Sequence, residues 1–375
     1  MDNIREKAVI YGGGQSTLDF LKYSSFFSDT IEICAITDKD EKKWGSNLCG
    51  YKILPPQEVY KMKYDFFVIP SAIYFEEISD RIMKDVQISR SQIEDVTCIA
   101  KRKLSARYKR HQDKADILGF IQTHPISVFN YPFREKYVNF SVEIGFDDEN
   151  KLYYVMHMGK YKMYMARRLD TEEKVYEYYK SLCLEQDDQS PHRYVTEDFD
   201  VQIGDILVDV GTAEGMFSID KIEKVKRLYI IEMDAEWIEA LKYTFGDYMD
   251  KVIIVEKFVA DYTGYNFVML DDVIDEDVNF IKMDIEGNEY AAMIGAKNII
   301  KKSKKLKCVL CTYHNDNDEV ALKYLAESYG LSAEFSEGYM YFANNVEQLY
   351  IMPSLRRGVL RCQKNNMLQI DTVYT

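Results

Sequence analysis

No run of about 18 apolar residues occurs in this 375-residue chain, and no basic-then-apolar leader precedes its first strand-like segment, Ala8-Val9-Ile10-Tyr11. Neither a membrane span nor a secretory signal is therefore predicted. Basic charge is also in deficit. Against 62 Asp and Glu stand 48 Lys and Arg, a net charge of −14, and no basic run reverses that balance locally. Nucleic acid and anionic membrane surfaces are excluded as bulk partners by such a surface. The seven cysteines are odd in number and scattered without framework spacing, which points to reduced thiols in a cytoplasmic protein and not to a secreted disulfide scaffold. Cys308-x-x-Cys311 has no second pair and falls in a strand-like apolar run, so burial is favoured over metal or redox chemistry. No internal repeat of about 20–50 residues is present.

What is present suits two cores. The chain exceeds one ordinary domain, and 47% apolar residues suffice to fill both. Residues 1–100 read as a self-contained α/β domain. It has strands at Ala8–Tyr11, Ile31–Thr37 and Tyr64–Pro70, a Gly12-Gly13-Gly14 turn, and helices from Ser16 and Tyr74. Residues 101–198 read as a charged connecting helix or linker over Lys101–Lys114, then an irregular Tyr- and Met-rich region placed to act as a lid or acceptor-binding segment. Residues 199–375 resume a regular strand–helix alternation, with strands near 206–210, 228–232, 252–259, 278–284 and 306–313. A hairpin-like end, Ala333–Phe335 with Tyr339–Ala343, closes that domain. The predicted fold class is α/β, with two doubly wound domains.

Chemistry concentrates in Gly204-Asp205-Ile206-Leu207-Val208-Asp209-Val210-Gly211-Thr212-Ala213-Glu214-Gly215. A buried strand ends there in an acid and a glycine-spaced turn, the first half of a nucleotide-binding βαβ unit. About 23 residues after Asp209, a second apolar strand ends in Glu232, where such a unit places the carboxylate that holds a ribose diol. Gly211 and Gly215 would admit a ligand closely, and Asp209 or Glu214 would receive an ammonium group. Glycines four apart leave no position suited to a pyrophosphate, which disfavours a dinucleotide.

Val208 to Gly215, Tyr229-Ile230-Ile231-Glu232, Leu270-Asp271-Asp272-Val273 and Phe280-Ile281-Lys282-Met283-Asp284-Ile285-Glu286-Gly287-Asn288-Glu289 occur in the order seen in FkbM-type S-adenosylmethionine-dependent methyltransferases, which the region 199–343 resembles. The resemblance implies a class I methyltransferase with a mostly parallel seven-stranded sheet and S-adenosylmethionine as cofactor. It also implies O-methylation of a sugar or nucleotide-sugar acceptor in bacterial polysaccharide or glycoconjugate synthesis. Asp209, Gly211, Glu214, Gly215, Glu232 and Asp261 would surround the cofactor. His314 and Asp284 are the candidates for proton removal from an alcohol, for which an imidazole near pH 7 is well matched, and His192, the third catalytic candidate, lies where a lid could close over the cofactor. No spacing demands a metal. Residues 7–98, with the glycine turn, Asp38 and Gly50-Tyr51-Lys52-Ile53-Leu54-Pro55, resemble the Rossmann-like domains of sugar-nucleotide-modifying enzymes. That domain would bind a nucleotide or nucleotide sugar, bind a dinucleotide, or serve as a structural and dimerisation module; homo-oligomerisation stays open. The rivals are an NAD-dependent sugar-nucleotide oxidoreductase or dehydratase, against which the missing Thr/Ser-Tyr-x-x-x-Lys signature counts, and a non-catalytic nucleotide-sugar-binding scaffold.

Overall fold

The structure, a computed structural model, describes residues 5–71, 74–343 and 352–364. Packing divides the chain into two units, the first comprising Met1–Tyr131 and Tyr341–Leu355, the second Pro132–Met340 and Arg356–Thr375. Among the described residues, no helix is long and apolar enough to cross a membrane.

In the first unit a six-stranded sheet runs in the order Asn47–Leu48, Tyr51–Leu54, Ile31–Thr37, Glu6–Tyr11, Phe66–Val68, Ile93–Glu94. All pairings but the first are parallel. Ala8 and Ile10 enter one apolar cluster, Val9 and Tyr11 another, which explains a continuous apolar run in a strand covered on both faces. The charged stretch expected as a linker is part of this unit instead. Its helix starts earlier, at Cys98, runs to Tyr108, and buries Cys98, Ile99, Ala100 and Leu104. Arg102 on that helix pairs with Glu6 at 2.5 Å and Glu94 at 2.8 Å.

The second unit holds a seven-stranded sheet in the order Val252–Glu256, Arg227–Glu232, Ile206–Val210, Phe280–Met283, Lys307–Cys311, Val359–Lys364, Leu331–Phe335. Its first five strands are parallel and Val359–Lys364 is antiparallel to both neighbours, as a class I methyltransferase sheet requires. The expected antiparallel end is present, but its partner differs. Leu331–Phe335 pairs with Val359–Lys364 and not with Tyr339–Ala343. Side chains alternate between two cores, Ile206, Val208 and Val210 facing one and Leu207 the other.

The unit begins at Pro132, not near residue 199. The region expected to be irregular forms an antiparallel meander, Ile144–Asp147, Leu152–His157 and Tyr161–Tyr164, followed by a helix, Glu172–Glu185. Thr171 caps that helix by accepting from the Lys174 amide at 3.2 Å, with Glu172 and Glu173 in the first turn. Leu152, Val155 and Met163 pack in the same core as Leu207, Phe217 and Val309. His157 joins the two layers through the Tyr179 hydroxyl and Asp220, both at 2.7 Å. One face of the sheet is thus covered by residues that precede it.

Candidate active site

The strand Ile206–Val210 has Arg227–Glu232 on one side and Phe280–Met283 on the other, so the chain changes direction there and leaves a crevice at the carboxyl ends. Gly211 stands at that point with φ +72°. A Cβ on it would lie 2.0 Å from the Asp284 carbonyl oxygen, so glycine is required by the approach of two strand ends. Gly215, φ +84°, is required for a different reason: its Cβ would lie 2.7 Å from Leu241 Cδ2. Its left-handed backbone and packing against the helix Ala235–Thr244, not ligand approach, fix that second position.

Asp209 does not face the crevice. Its side chain is on the Leu207 face, fully buried, 3.0 Å from Lys282 Nζ, and accepts from the Ser218 hydroxyl at 2.7 Å. The expectation that it receives a ligand ammonium is corrected, because Lys282 already supplies that cation from inside. Lys282 also donates to the Gly211 carbonyl at 2.6 Å, tying the end of one strand to the turn of its neighbour. Burial alone would lower its pKa, but Asp209 and Asp284 raise it. Glu214 does line the crevice, accepting from the Tyr178 hydroxyl at 2.8 Å. Burial raises its pKa.

Asp284 is the centre of the site. Its carboxylate accepts from the Tyr194 hydroxyl at 2.6 Å and contacts the Tyr313 hydroxyl at 3.4 Å. His192 Nε2 lies 3.7 Å from one oxygen and His314 Nε2 3.5 Å from the other. Burial would raise the Asp284 pKa; His192, Lys282, His314 and the Tyr194 hydroxyl overcome it and hold the carboxyl at about 2. His192 is buried, which lowers its pKa to about 4 and leaves it neutral at pH 7. His314 is buried as well, yet its Nδ1 sits 3.0 Å from Glu289, and the surrounding acids raise its pKa. The three predicted catalytic residues therefore meet, and of them Asp284 lines the two cavities described below, with the imidazoles behind it. Ligand atoms of Asp284, Glu289 and His314 fall within 4.8 Å of one another, as do those of His192, Asp284 and Cys311, so donors for a cation converge where no sequence spacing indicated it. Cys308 points into the other core, because residues three apart on a strand face opposite ways.

Two adjoining cavities open here, sharing Gly211, Ala213, Asp284 and Glu286. The larger, about 360 Å³, is walled by Ile231, Trp237, Phe258, Val259 and Ile285, with Glu232 on its rim. Apolar walls with the Glu232 carboxylate at their rim suit a purine joined to a ribose diol. Glu232 is held ready by the Ala213 amide at 2.9 Å and by those of Met233 and Asp234 at 2.7 and 2.8 Å. Asp261 is exposed and does not line this cavity; Lys257, Phe258 and Val259 do. The smaller cavity, about 230 Å³, is lined by Tyr178, Glu185, Tyr194, Glu214, Lys282 and Tyr313 among others. A cationic sulfonium fits such an excess of carboxylates.

Residues 255–330 match the family model described as the methyltransferase FkbM domain. The second unit carries an FkbM-type methyltransferase domain. It is S-adenosylmethionine-dependent, and the cofactor supplies an electrophilic methyl group that the crevice must align with an acceptor. Residues 4–94 match a model described as C2185-like, N-terminal. No curated relative matches the sequence. Among solved structures, the chain is similar to a methyltransferase FkbM from Methylobacillus flagellatus KT, at 16% identity and a TM-score of 0.42, over 96% of this chain and 90% of that one. Magnesium protoporphyrin IX methyltransferase from Synechocystis PCC 6803, with bound SAM, gives 10% identity and a TM-score of 0.32, over 52% and 84%. A putative methyltransferase from Streptococcus mutans in complex with SAH gives 8% and 0.32, over 44% and 91%.

Sequence reasoning missed Tyr178, Glu185 and Tyr194 as site residues of the FkbM-type domain. They lie in the stretch read as irregular, and only an aromatic-rich 3.6 periodicity over 175–182 could have signalled the helix that carries the first two. Arginines of the second unit are engaged within the protein. Arg167 pairs with Glu239 at 2.5 Å, Arg168 with Asp234 at 2.8 Å, and Arg356 with Asp316.

In the first unit, the Gly12–Gly14 turn borders a cavity of about 380 Å³ with Ser16, Thr17, Asp38, Lys39 and Lys43. Asp38 Oδ2 accepts from the Gly13 amide at 2.6 Å and from Lys43 at 2.8 Å. Asp38, at the end of the second strand, is thus paired with a lysine beside the glycine turn.

Proposed function

We propose that the FkbM-type domain methylates a hydroxyl of a sugar or nucleotide sugar, in the cytoplasm, during assembly of a bacterial polysaccharide or glycoconjugate. One observation carries the chemical part of the reading: an ionised Asp284 reaches both cavities, braced from behind by two imidazoles and by tyrosine hydroxyls. An alcohol is a poor nucleophile until its proton leaves, so alcohol methylation needs acceptors of protons and charge at the point of attack. Tyr178, Tyr194 and Tyr313 add rings and hydroxyls against which a polyol can be oriented. Glu232 and the apolar wall hold the nucleoside half of the cofactor, while Glu214 and Asp284 face its cationic half. In-line alignment of oxygen, methyl carbon and sulfur then does most of the catalytic work.

The test is incubation of the purified protein with methyl-labelled S-adenosylmethionine and a panel of free sugars, nucleotide sugars and oligosaccharides. Label transferred to a base-stable methyl ether supports the reading. Transfer only to amines or thiols, or turnover with no sugar in a panel that a control sugar methyltransferase does methylate, sinks it. The cavity beside Gly12–Gly14 supports a nucleotide-binding role for the first unit, checked by titrating the protein with nucleotide sugars.

A further inference from the structure

We propose that Glu185, and not either histidine, is the base that receives the acceptor's hydroxyl proton. The inference rests on the reading above that the acceptor is an alcohol. Glu185 is the last residue of the helix Glu172–Glu185 and lines the smaller cavity opposite the glycine turn. Among the described residues its carboxyl group forms no hydrogen bond and no ion pair.

The other acidic groups are less suited. Asp284 is bonded to Tyr194, flanked by both imidazoles, and held at about 2, which makes it a weak base. Glu214 accepts from Tyr178 and from the Met216 amide. Glu286 has a side chain 92% exposed, so water surrounds it at the rim. His192 and His314 line neither cavity. Glu185 is faced by Tyr178 from its own helix and by Tyr194 after it. Glu214 faces it from the turn, Lys282, Asp284 and Glu286 from the central strand end, and Tyr313 from the next strand. Burial first, then the negative charges of Asp284, Glu214 and Glu286, push its pKa up to about 8. Two carboxyls of one cavity whose environments separate them this far divide the work, one staying ionised and the other exchanging the proton.

The step balances without a further reactant. The acceptor oxygen bonds to the methyl carbon as the sulfonium–methyl bond breaks, and that electron pair stays on sulfur. The hydroxyl proton passes to a Glu185 oxygen. For this, Glu185 must be ionised when the acceptor attacks, and the arriving sulfonium supplies the positive charge that ionises it. Entry of the cationic cofactor should therefore expel a proton, whereas the neutral thioether product should not.

Calorimetric titration of the full-length protein at pH 7 with S-adenosylmethionine and with S-adenosylhomocysteine, each in phosphate and in Tris, counts the protons released. The wild type is expected to release a measurable fraction of a proton with the former and close to none with the latter. E185Q should bind the product within about threefold of the wild type and release none with either; E185D, which keeps a carboxyl, should retain the release. Release that persists in E185Q, or equal release with both ligands, overturns the proposal. With any alcohol the wild type methylates, E185Q should lose roughly 100-fold or more in kcat, and an unchanged kcat overturns it equally. Failure to find a methylated alcohol refutes the acceptor reading alone, since the proton count does not depend on an acceptor.

Discussion

Replacing Lys282 with Met should destabilise the second unit far more than an exposed lysine would. Lys282 Nζ and Asp209 Oδ1 are 3.0 Å apart with side chains 5% and 1% exposed, so removing either strands the other charge away from water. Breaking a buried pair in this way costs about 3–5 kcal/mol, because desolvation of the remaining ion is no longer offset. K282M has a second effect, since Asp284 loses one of the cations that keep it ionised. D209N removes the partner and leaves the lysine with Asp284 and the Gly211 carbonyl, so its loss should fall at the lower end, about 3 kcal/mol. The double variant should lose less than the sum, with a coupling of about 2–3 kcal/mol. One tryptophan, Trp237, lies in the second unit and the other, Trp44, in the first, so urea unfolding followed by fluorescence in a W44F background reports the relevant transition. Single variants that each shift stability by less than about 1 kcal/mol and combine additively would refute the reasoning, and would return Asp209 to the list of ligand contacts.

Gly211→Ala should cost about 1–2 kcal/mol for left-handed backbone and a further 1–3 kcal/mol for displacing the Asp284 carbonyl; thermal unfolding and product binding should both register it, and wild-type values for both would be contrary. Glu232→Ala removes the acceptor for three backbone amides and the ribose contact, so affinity for S-adenosylhomocysteine should fall about tenfold or more, roughly 1.4 kcal/mol; an unaltered titration would remove its role. His192 has a folded-state pKa of about 4 against an unfolded value of 6.5. Its contribution is therefore present above pH 6.5 and lost as pH falls towards 4, an acid-side loss of about 3 kcal/mol. H192Q should flatten the stability profile between pH 6.5 and 4, and an identical acid limb in both proteins would exclude this origin.

Much of this arrangement was legible because parallel strands covered on both faces read as plain apolar runs. Ile206–Val210, Arg227–Glu232 and Phe280–Met283 announce themselves that way, and the distance from Asp209 to Glu232 follows from the length of one βαβ unit. The meander and the helix Glu172–Glu185 were not legible, because tyrosine supplies their buried positions and tyrosine is equally at home in water. Tyr179 is buried and Tyr178 bonds Glu214, yet neighbouring letters are identical. Asp209 was misassigned because its strand position was clear but its facing was not. Only the register with Phe280–Met283 places Lys282 beside it. Glu185 could not be singled out at all, since most of its surroundings come from three segments distant in sequence, at 211–217, 282–286 and 313.

The strand Val359–Lys364 lies between Lys307–Cys311 and Leu331–Phe335, while the chain just before it returns to the first unit, where the Pro353 carbonyl accepts from Arg107 at 3.1 Å and the Leu355 amide donates to the Tyr108 hydroxyl at 3.2 Å. During synthesis, then, the first unit cannot be finished before the ribosome has passed Leu355, nor the second unit's sheet before it has passed Lys364. Both must wait with a gap, one at the edge of its packing and one inside its sheet, and the same last stretch of chain fills each in turn. Excision of the methyltransferase domain by a single cut would leave that gap open, because neither unit is one contiguous stretch of chain.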